Sequence, residues 1–321
     1  MKTGLLILFA ACVFGAATAA PLVPGDQAEE QRRSQRVNQP EHQHVLVLGR
    51  VSDNPAAHYD RLKPMLDYVV ARMGDLGIRE GRVLMAPDGV AMVSYLRQGR
   101  VDWVTETAGA AIAMLDRGGA ELLALSWRGG QERYQSVFVT RKDSGIDALN
   151  ELLGRKIGFQ HPMSTSAYLV PAGMLLDLGL PLAILLSPLD PAPVDFVGYA
   201  FTGAEANSVA WLHQRLVDVS VISNQDWQEQ VVPVPAYARD LKIIAASPDY
   251  PRALELVRGG LPAPIRTRLL QILTEASDSN EGRAVLDSYF GTLRFSPVTV
   301  EIEAQVEALR PLVERVRQEL Q

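Results

Sequence analysis

The sequence predicts an α/β fold, and three observations carry that prediction. Between residues 44 and 127, short apolar runs alternate with stretches whose apolar residues recur at helical spacing. The alternation restarts after Gln135. Each strand-like run also ends in a polar or glycine-bearing loop from which the next helix begins. That order belongs to a parallel, doubly wound sheet, whose ligands sit beyond the carboxyl ends of the strands.

Taken in order, residues 1–19 read as an export signal. Lys2 gives a positive start, Leu5–Val13 an apolar core, and Ala17-Thr18-Ala19 a small-residue cleavage site. Ala20–His42 is polar, without apolar periodicity, and reads as a disordered tail. A buried strand is expected at His44–Gly49, then a loop at Arg50–Pro55. A helix follows over Ala56–Leu76, with Leu62, Leu66, Val69, Val70 and Met73 on one face. A second strand falls at Arg82–Ala86, and Asp88 caps a helix over Gly89–Arg97 that Gly99 ends. A third strand at Val101–Val104 leads through Thr105-Glu106-Thr107 into a helix over Ala108–Arg117, and a fourth covers Glu121–Trp127. The loops at Ser52–Asn54, Pro87–Gly89 and Thr105–Thr107 then share one rim.

The second series begins with strands at Ser136–Thr140 and Lys156–Phe159, followed by a helix over Ala167–Leu178. Leu180–Pro193, rich in Pro and Leu, reads as a loop extension. Strands are expected at Val194–Val197 and Val217–Ile222, with a helix between them ending near Leu216. A strand at Leu241–Ala246 is expected to return to the first series. Amphipathic helices over Ala263–Ala276, Glu281–Phe290 and Val300–Glu319 complete the chain.

Composition narrows the function. The chain has 321 residues, 47% hydrophobic and 21% charged, enough apolar material for two domains of common size. The formal net charge of −6 argues against a general nucleic-acid binder. No stretch reaches the roughly 18 apolar residues of a membrane-spanning helix. The single cysteine, Cys12, lies inside the export signal. It is either discarded with that peptide or, reading Phe9-Ala10-Ala11-Cys12 as a lipoprotein-type site, lipidated; Phe9 fits the second reading poorly. Stability then rests on core packing rather than disulfides. The five histidines show no metal-ligand spacing, and neither a phosphate-binding G-x-x-x-x-G-K-[ST] run nor a G-x-S-x-G elbow occurs.

Strand, hydroxyl-rich loop and helix start follow one another at Lys156–Ala167, so hydroxyls and free backbone N–H groups of Ser164, Thr165 and Ser166 gather at one spot. The positive end of the helix dipole faces it, and an oxyanion is favoured there. A plain helix cap is the competing reading. These residues sit in a longer pattern. Tyr134, Ser136, Val137, Ser144, Gly145, Ile146, Ser164, Thr165, Ser166, Tyr168, Leu169, Val170 and Pro171 match the form Y-x-S-V-x-V-x-x-x-S-G-I…S-T-S-x-Y-L-V-P, with one extra residue before Ser144. The segment resembles the phosphonate/phosphate-type substrate-binding components of ABC transporters. Tyr59, Pro64, Leu66 and Tyr68, and Ser247-Pro248 with Pro251, extend the resemblance.

The resemblance implies a type II periplasmic-binding-protein fold: two doubly wound lobes with a hinge and an interlobe cleft. Residues 43–133 plus 240–321 would form lobe I, and residues 134–239 lobe II. It further implies an exported, periplasmic, monomeric protein that captures a small oxyanion for an ABC transporter permease. Such a protein has no covalent chemistry, no cofactor and no nucleic-acid partner. Supply of a periplasmic sensor kinase or receptor is the alternative role. Besides the hydroxyl triplet, candidate ligand contacts are Thr105, Glu106, Tyr134, Glu205, Asn224 and Asp226. Gly89, Ala110 and Ala111 stand where the family carries aromatic residues. Glu106 adds a carboxylate that would repel a bound dianion unless it faces a helix N–H or an ammonium. Glu205 follows the family's Thr-Gly turn, where acids meet a ligand's ammonium in aminoalkylphosphonate binders.

Overall fold

The computed structural model describes residues 45–52 and 54–320. The expected export signal, Cys12 and the polar tail lie outside the described residues. Lobe I starts with β1 (Val45–Val51), α1 (Pro55–Val70), β2 (Glu80–Ala86), α2 (Gly89–Arg97), β3 (Trp103–Glu106), α3 (Ala108–Gly118) and β4 (Ala120–Arg128). Asn54 caps α1, its Oδ1 accepting from Ala57 N at 3.3 Å, with Pro55 at the first helical position. Leu62, Met65, Leu66 and Val69 are buried along one face of α1 against Leu46 and Leu48 of β1. Burying each such side chain stabilises the lobe by roughly 1.5–3 kcal/mol. Asp88 caps α2 as expected, accepting from Ala91 N at 2.7 Å.

Lobe II contains β6 (Ser136–Arg141), β7 (Lys156–Phe159), α4 (Val170–Asp177), β8 (Leu182–Ile184), β9 (Val197–Phe201), α5 (Glu205–His213), β10 (Val219–Ser223), α6 (Pro235–Asp240) and β11 (Leu241–Ala246). The chain then re-enters lobe I with β13 (Ala253–Arg258), α7 (Ala263–Glu275), α8 (Asn280–Ser288) and β14 (Thr292–Pro297), and ends in α9 (Val300–Leu320). Strand order is β14-β4-β13-β3-β1-β2 in lobe I and β11-β6-β10-β7-β9-β8 in lobe II. The parallel runs are broken inside each sheet: β13 lies antiparallel between β3 and β4, and β6 antiparallel between β10 and β11, while β14 adds a further antiparallel strand at the edge beside β4. β13 and β6 are the strands laid down directly after the chain crosses between lobes. The crossing segments themselves pair as a short antiparallel ribbon of β5 (Arg133–Tyr134) and β12 (Tyr250–Pro251).

Several expectations shift. The α1 pattern stops at Val70, and Gly74–Leu76 forms a separate 3-10 turn closed by left-handed Gly77. The third strand moves two residues on: Thr105 and Glu106 are buried and pair with Glu255 and Leu254. Val194 is 82% exposed, and the strand expected there begins at Val197. The loop extension contains the edge strand β8. Leu241–Ala246 does not return to the first series but pairs with β6, because its Val137 and Val139 partners lie in lobe II. The return is made by β13, six residues later.

α9 straps the lobes together. Arg310 pairs with Asp116 on α3, Arg315 with Asp177 on α4 at 2.6 Å, and Arg133 at the hinge with Glu301 at 2.9 Å. A Cβ on Gly173 would meet Leu312 at 2.8 Å, so α4 and α9 pack closely enough to require a glycine. Among the described residues, no helix is long and apolar enough to cross a membrane.

Candidate ligand site between the lobes

The hydroxyl triplet divides into three roles. Ser164 has an extended backbone and caps the following turn, its Oγ accepting from Ala167 N at 3.1 Å. Thr165 reaches across to lobe I. Its hydroxyl accepts from Gly109 N at 2.9 Å and donates to Thr107 Oγ1 at 2.8 Å. The first turn of α3, an orphan-donor site, is thereby capped by a residue of the other lobe. A Cβ on Gly109 would lie 2.9 Å from that hydroxyl, so the approach needs a glycine. Ser166 is half-buried and hydrogen-bonds the Tyr134 hydroxyl. The segment Thr165–Leu169 winds widely before α4 and is kinked at Ala167, whose backbone is not helical. Tyr168, in the same turn, packs edge-on to Phe159 and Phe201 at 5.3 and 5.0 Å.

The lobe I candidates are equally divided. Glu106 Oε1 accepts from Val51 N at 2.9 Å, and Oε2 from Thr107 N at 3.4 Å. Of the roles open to it, the carboxylate takes the backbone one, binding a strand end and a helix start. Thr105 is fully buried; its hydroxyl donates to Glu255 Oε1 at 2.7 Å and accepts from Arg128 at 2.5 Å. Glu255, fully buried on β13, also accepts from Ser126 Oγ at 2.5 Å, Trp103 Nε1 at 2.6 Å and Tyr289 Oη at 3.0 Å. Burial pushes its carboxyl up, opposed by the charge of Arg128. Burial, together with neighbouring Arg50 and Arg252, brings Arg128 down to about 10, which leaves it cationic at neutral pH.

Tyr134 is where the lobes and hinge meet. Its ring stands edge-on to Tyr250 at 4.8 Å and lies 4.6 Å beneath the Arg252 guanidinium. Burial raises its hydroxyl pKa, while Arg252, Ser166 and Arg128 act the other way and Asp226 reinforces it. One phenol therefore senses groups from lobe I, lobe II and the hinge. Gly129 and Gly130, both at positive φ, begin this crossing, and a Cβ on Gly129 would collide with the Gln225 side chain. Gln225 Oε1 in turn accepts from Arg252 Nε at 3.2 Å.

Asp226 follows β10 and accepts from Ser223 N at 3.2 Å, Ser223 Oγ at 2.6 Å and Gln230 at 3.2 Å. Burial raises its pKa, and the charge of Glu205 adds to the rise. Asp226 thus lies within electrostatic reach of Glu205 and of Arg252 at the hinge. Asn224 is used differently: its Oδ1 accepts from Gln135 N at 3.0 Å, fastening β10 to the crossing segment.

The arginines were not visible as a group in the sequence. Arg50 is next to last in β1, Arg128 ends β4 and Arg252 precedes β13, so only the sheet order brings them together. No group of three or more His, Cys, Asp or Glu among the described residues is arranged to hold a metal.

Residues 49–301 match the family model of the phosphonate ABC transporter periplasmic substrate-binding proteins. The chain is 24% identical over 242 residues to the phosphonates-binding periplasmic protein of Escherichia coli K12, covering 74% of this chain and 67% of that one. Structures of XAC2383 from Xanthomonas citri, described as bound to chloride ion and to ATP, share 41% identity with it. They superpose with TM-scores of 0.82 and 0.81 over 86% of this chain and 99% of theirs. PhnD1 of Prochlorococcus marinus, in complex with methylphosphonate, shares the fold at 17% identity, with a TM-score of 0.64 over 85% of this chain and 98% of that one. The chain has the type II periplasmic-binding fold and belongs to the family of phosphonate ABC transporter periplasmic substrate-binding proteins.

Proposed function

We propose that this protein is exported to the periplasm, where it captures a small phosphoryl-type oxyanion between its lobes and delivers it to an ABC importer without covalent chemistry. The observation that carries the reading is the setting of Tyr134. Its hydroxyl bonds Ser166 of lobe II, and Arg128 of lobe I, Arg252 of the hinge and Asp226 of lobe II lie within electrostatic reach. A ligand at that point touches both lobes and the hinge, so its binding favours the closed arrangement. The anions named with similar proteins, methylphosphonate, chloride and ATP, support an anionic ligand.

Asp226 and Glu205 give the site a second, acidic end. A ligand carrying an ammonium or hydroxyl a few bonds from its phosphoryl group would suit both ends. Among the earlier candidates, Ser166, Tyr134, Asp226 and Glu205 are assigned to the ligand. Ser164, Thr165, Thr105, Glu106 and Asn224 are assigned to building and closing the site around it.

The test is a thermal-shift panel of methylphosphonate, an aminoalkylphosphonate, inorganic phosphate, phosphite and sulfate. A ligand that binds only the folded chain stabilises it by about 2.7 kcal/mol at a hundredfold excess over Kd. A rise in melting temperature with phosphoryl compounds and none with sulfate is the expected result. No shift with any of the five contradicts the reading.

A further inference from the structure

We infer that Arg50 and Arg128, joined by Arg252 at the hinge, form the anion-holding half of this site and grip the ligand's phosphoryl group. Three independent observations lead there. The first is convergence. Arg50 donates to the Thr105 carbonyl at 3.3 Å and Arg128 to the Thr105 hydroxyl at 2.5 Å. Both guanidiniums lie 4.5 Å from the centre of the Phe290 ring.

The second observation is an excess of donors. Each guanidinium offers five N–H groups. The hydrogen bonds to Thr105 engage one nitrogen of Arg50 and one of Arg128, and the bond to Gln225 engages one of Arg252. The Nε atoms of Arg50 and Arg128 are buried without a partner among the described residues, and Arg128 as a whole is only 3% exposed. Among the described residues, none of the three arginines has a carboxylate within ion-pair distance. Glu255, which faces Arg128, is already occupied by four neutral donors. Arg128 is buried with Glu255, beyond ion-pair distance, as its countercharge, and an anion at this point lowers the cost of burying the cation.

The third observation is strain. Phe290 has a φ of 57°, a left-handed backbone that an aromatic residue rarely adopts, and Gly291 follows at 61°. The strained turn presents the ring to Arg50 and Arg128, and Arg61 approaches it at 5.6 Å. Cation–π contact fixes the planes of the guanidiniums without neutralising their charge. Planar forks held this way match the oxygens of a phosphoryl dianion. The cluster is expected to prefer doubly charged phosphoryl groups to monoanions.

The inference rests on the reading of the chain as an oxyanion binder, and the experiment separates the two. Isothermal titration of the wild-type chain with methylphosphonate, inorganic phosphate and pyrophosphate is compared with Arg50→Gln, Arg50→Lys, Arg252→Gln and Arg128→Lys. Lys63→Gln, on the outer face of α1, controls for the lost charge. Urea midpoints establish that each variant is folded. The expected result is at least a tenfold loss of affinity in Arg50→Gln and Arg252→Gln, with Lys63→Gln unchanged. Arg50→Lys and Arg128→Lys retain charge but lose the fork, and are expected to fall between. Added chloride should weaken wild-type binding more than that of Arg50→Gln. If the wild type binds one of these anions and the arginine variants bind it equally well, the inference falls and the oxyanion reading stands. If the wild type binds none, both fall.

Discussion

On the lobe II face of the proposed site, Ser164 and Thr165 commit their hydroxyls to protein partners; on the lobe I face, Arg50 and Arg128 have more donors than their protein partners use. The hydroxyl face is neutral, local in sequence and structurally satisfied. The arginine face is charged, assembled from distant strands and left incomplete. Satisfied groups hold the lobes in place, whereas unsatisfied ones have free energy to gain from a ligand. A conspicuous motif can therefore build a site without being its main contact.

The largest expected effect tests the support beneath the arginine face. Glu255→Ala leaves Trp103, Thr105, Ser126 and Tyr289 without their acceptor and Arg128 without its nearest countercharge. It should cost at least about 1–3 kcal/mol, the range for leaving a buried hydrogen-bonding group unsatisfied, measured as a lowered urea midpoint. A loss below about 1 kcal/mol, the scale of an ordinary hydrogen bond, would mean that lobe I tolerates its arginines unaided.

The next prediction concerns the hydroxyl face. Thr165→Val keeps the shape but leaves Gly109 N without an acceptor, a penalty of about 1–3 kcal/mol. Because the bond spans the lobes, faster amide exchange should concentrate at the start of α3 and in the Thr165–Leu169 turn. Thr165→Ser should restore protection. Uniform loss throughout the chain would contradict a role in holding the lobes together.

Asp226 offers a pH test. Its native pKa lies above that of the unfolded chain, chiefly because of burial. Between the ordinary aspartate value and the raised native one, the native state therefore binds more protons, and stability falls as pH rises. Asp226→Asn removes this contribution. The difference in urea midpoint, variant minus wild type, should increase with pH through that window and level off above it. A difference that shrinks with rising pH would reverse the assignment.

The smallest effect belongs to neither face. Lys63 and Asp67 pair at 2.5 Å on α1, both partly exposed. Lys63→Ala should change stability by about 0.3–0.5 kcal/mol and leave anion affinity untouched.

Much of this architecture was legible because strands and helices here keep their own periods. Leu62, Leu66 and Val69 mark α1, and Asp88 and Gly99 bracket α2. What was missed has physical reasons. β13 reads Ala-Leu-Glu-Leu-Val-Arg, and its central Glu255 looks solvated until four buried donors surround it. Thr105 and Glu106 looked like loop residues for the same reason: their partners lie 150 and 55 positions away. β11 joins the lobe II sheet against expectation, because a strand's own pattern does not say which sheet it joins. In the site, adjacency exposed Ser164, Thr165 and Ser166, but no spacing links positions 50, 128 and 252. Only the strand order β4-β13-β3-β1 brings those three ends together.

The most direct measurement is a crystal structure of the chain grown with methylphosphonate. Phosphoryl density should lie within hydrogen-bond distance of Arg50 and Arg128 on one side and of Ser166 or Tyr134 on the other, with the Thr165–Gly109 contact intact. Density seated on the Ser164 and Thr165 hydroxyls, with the guanidiniums unengaged, would contradict the account.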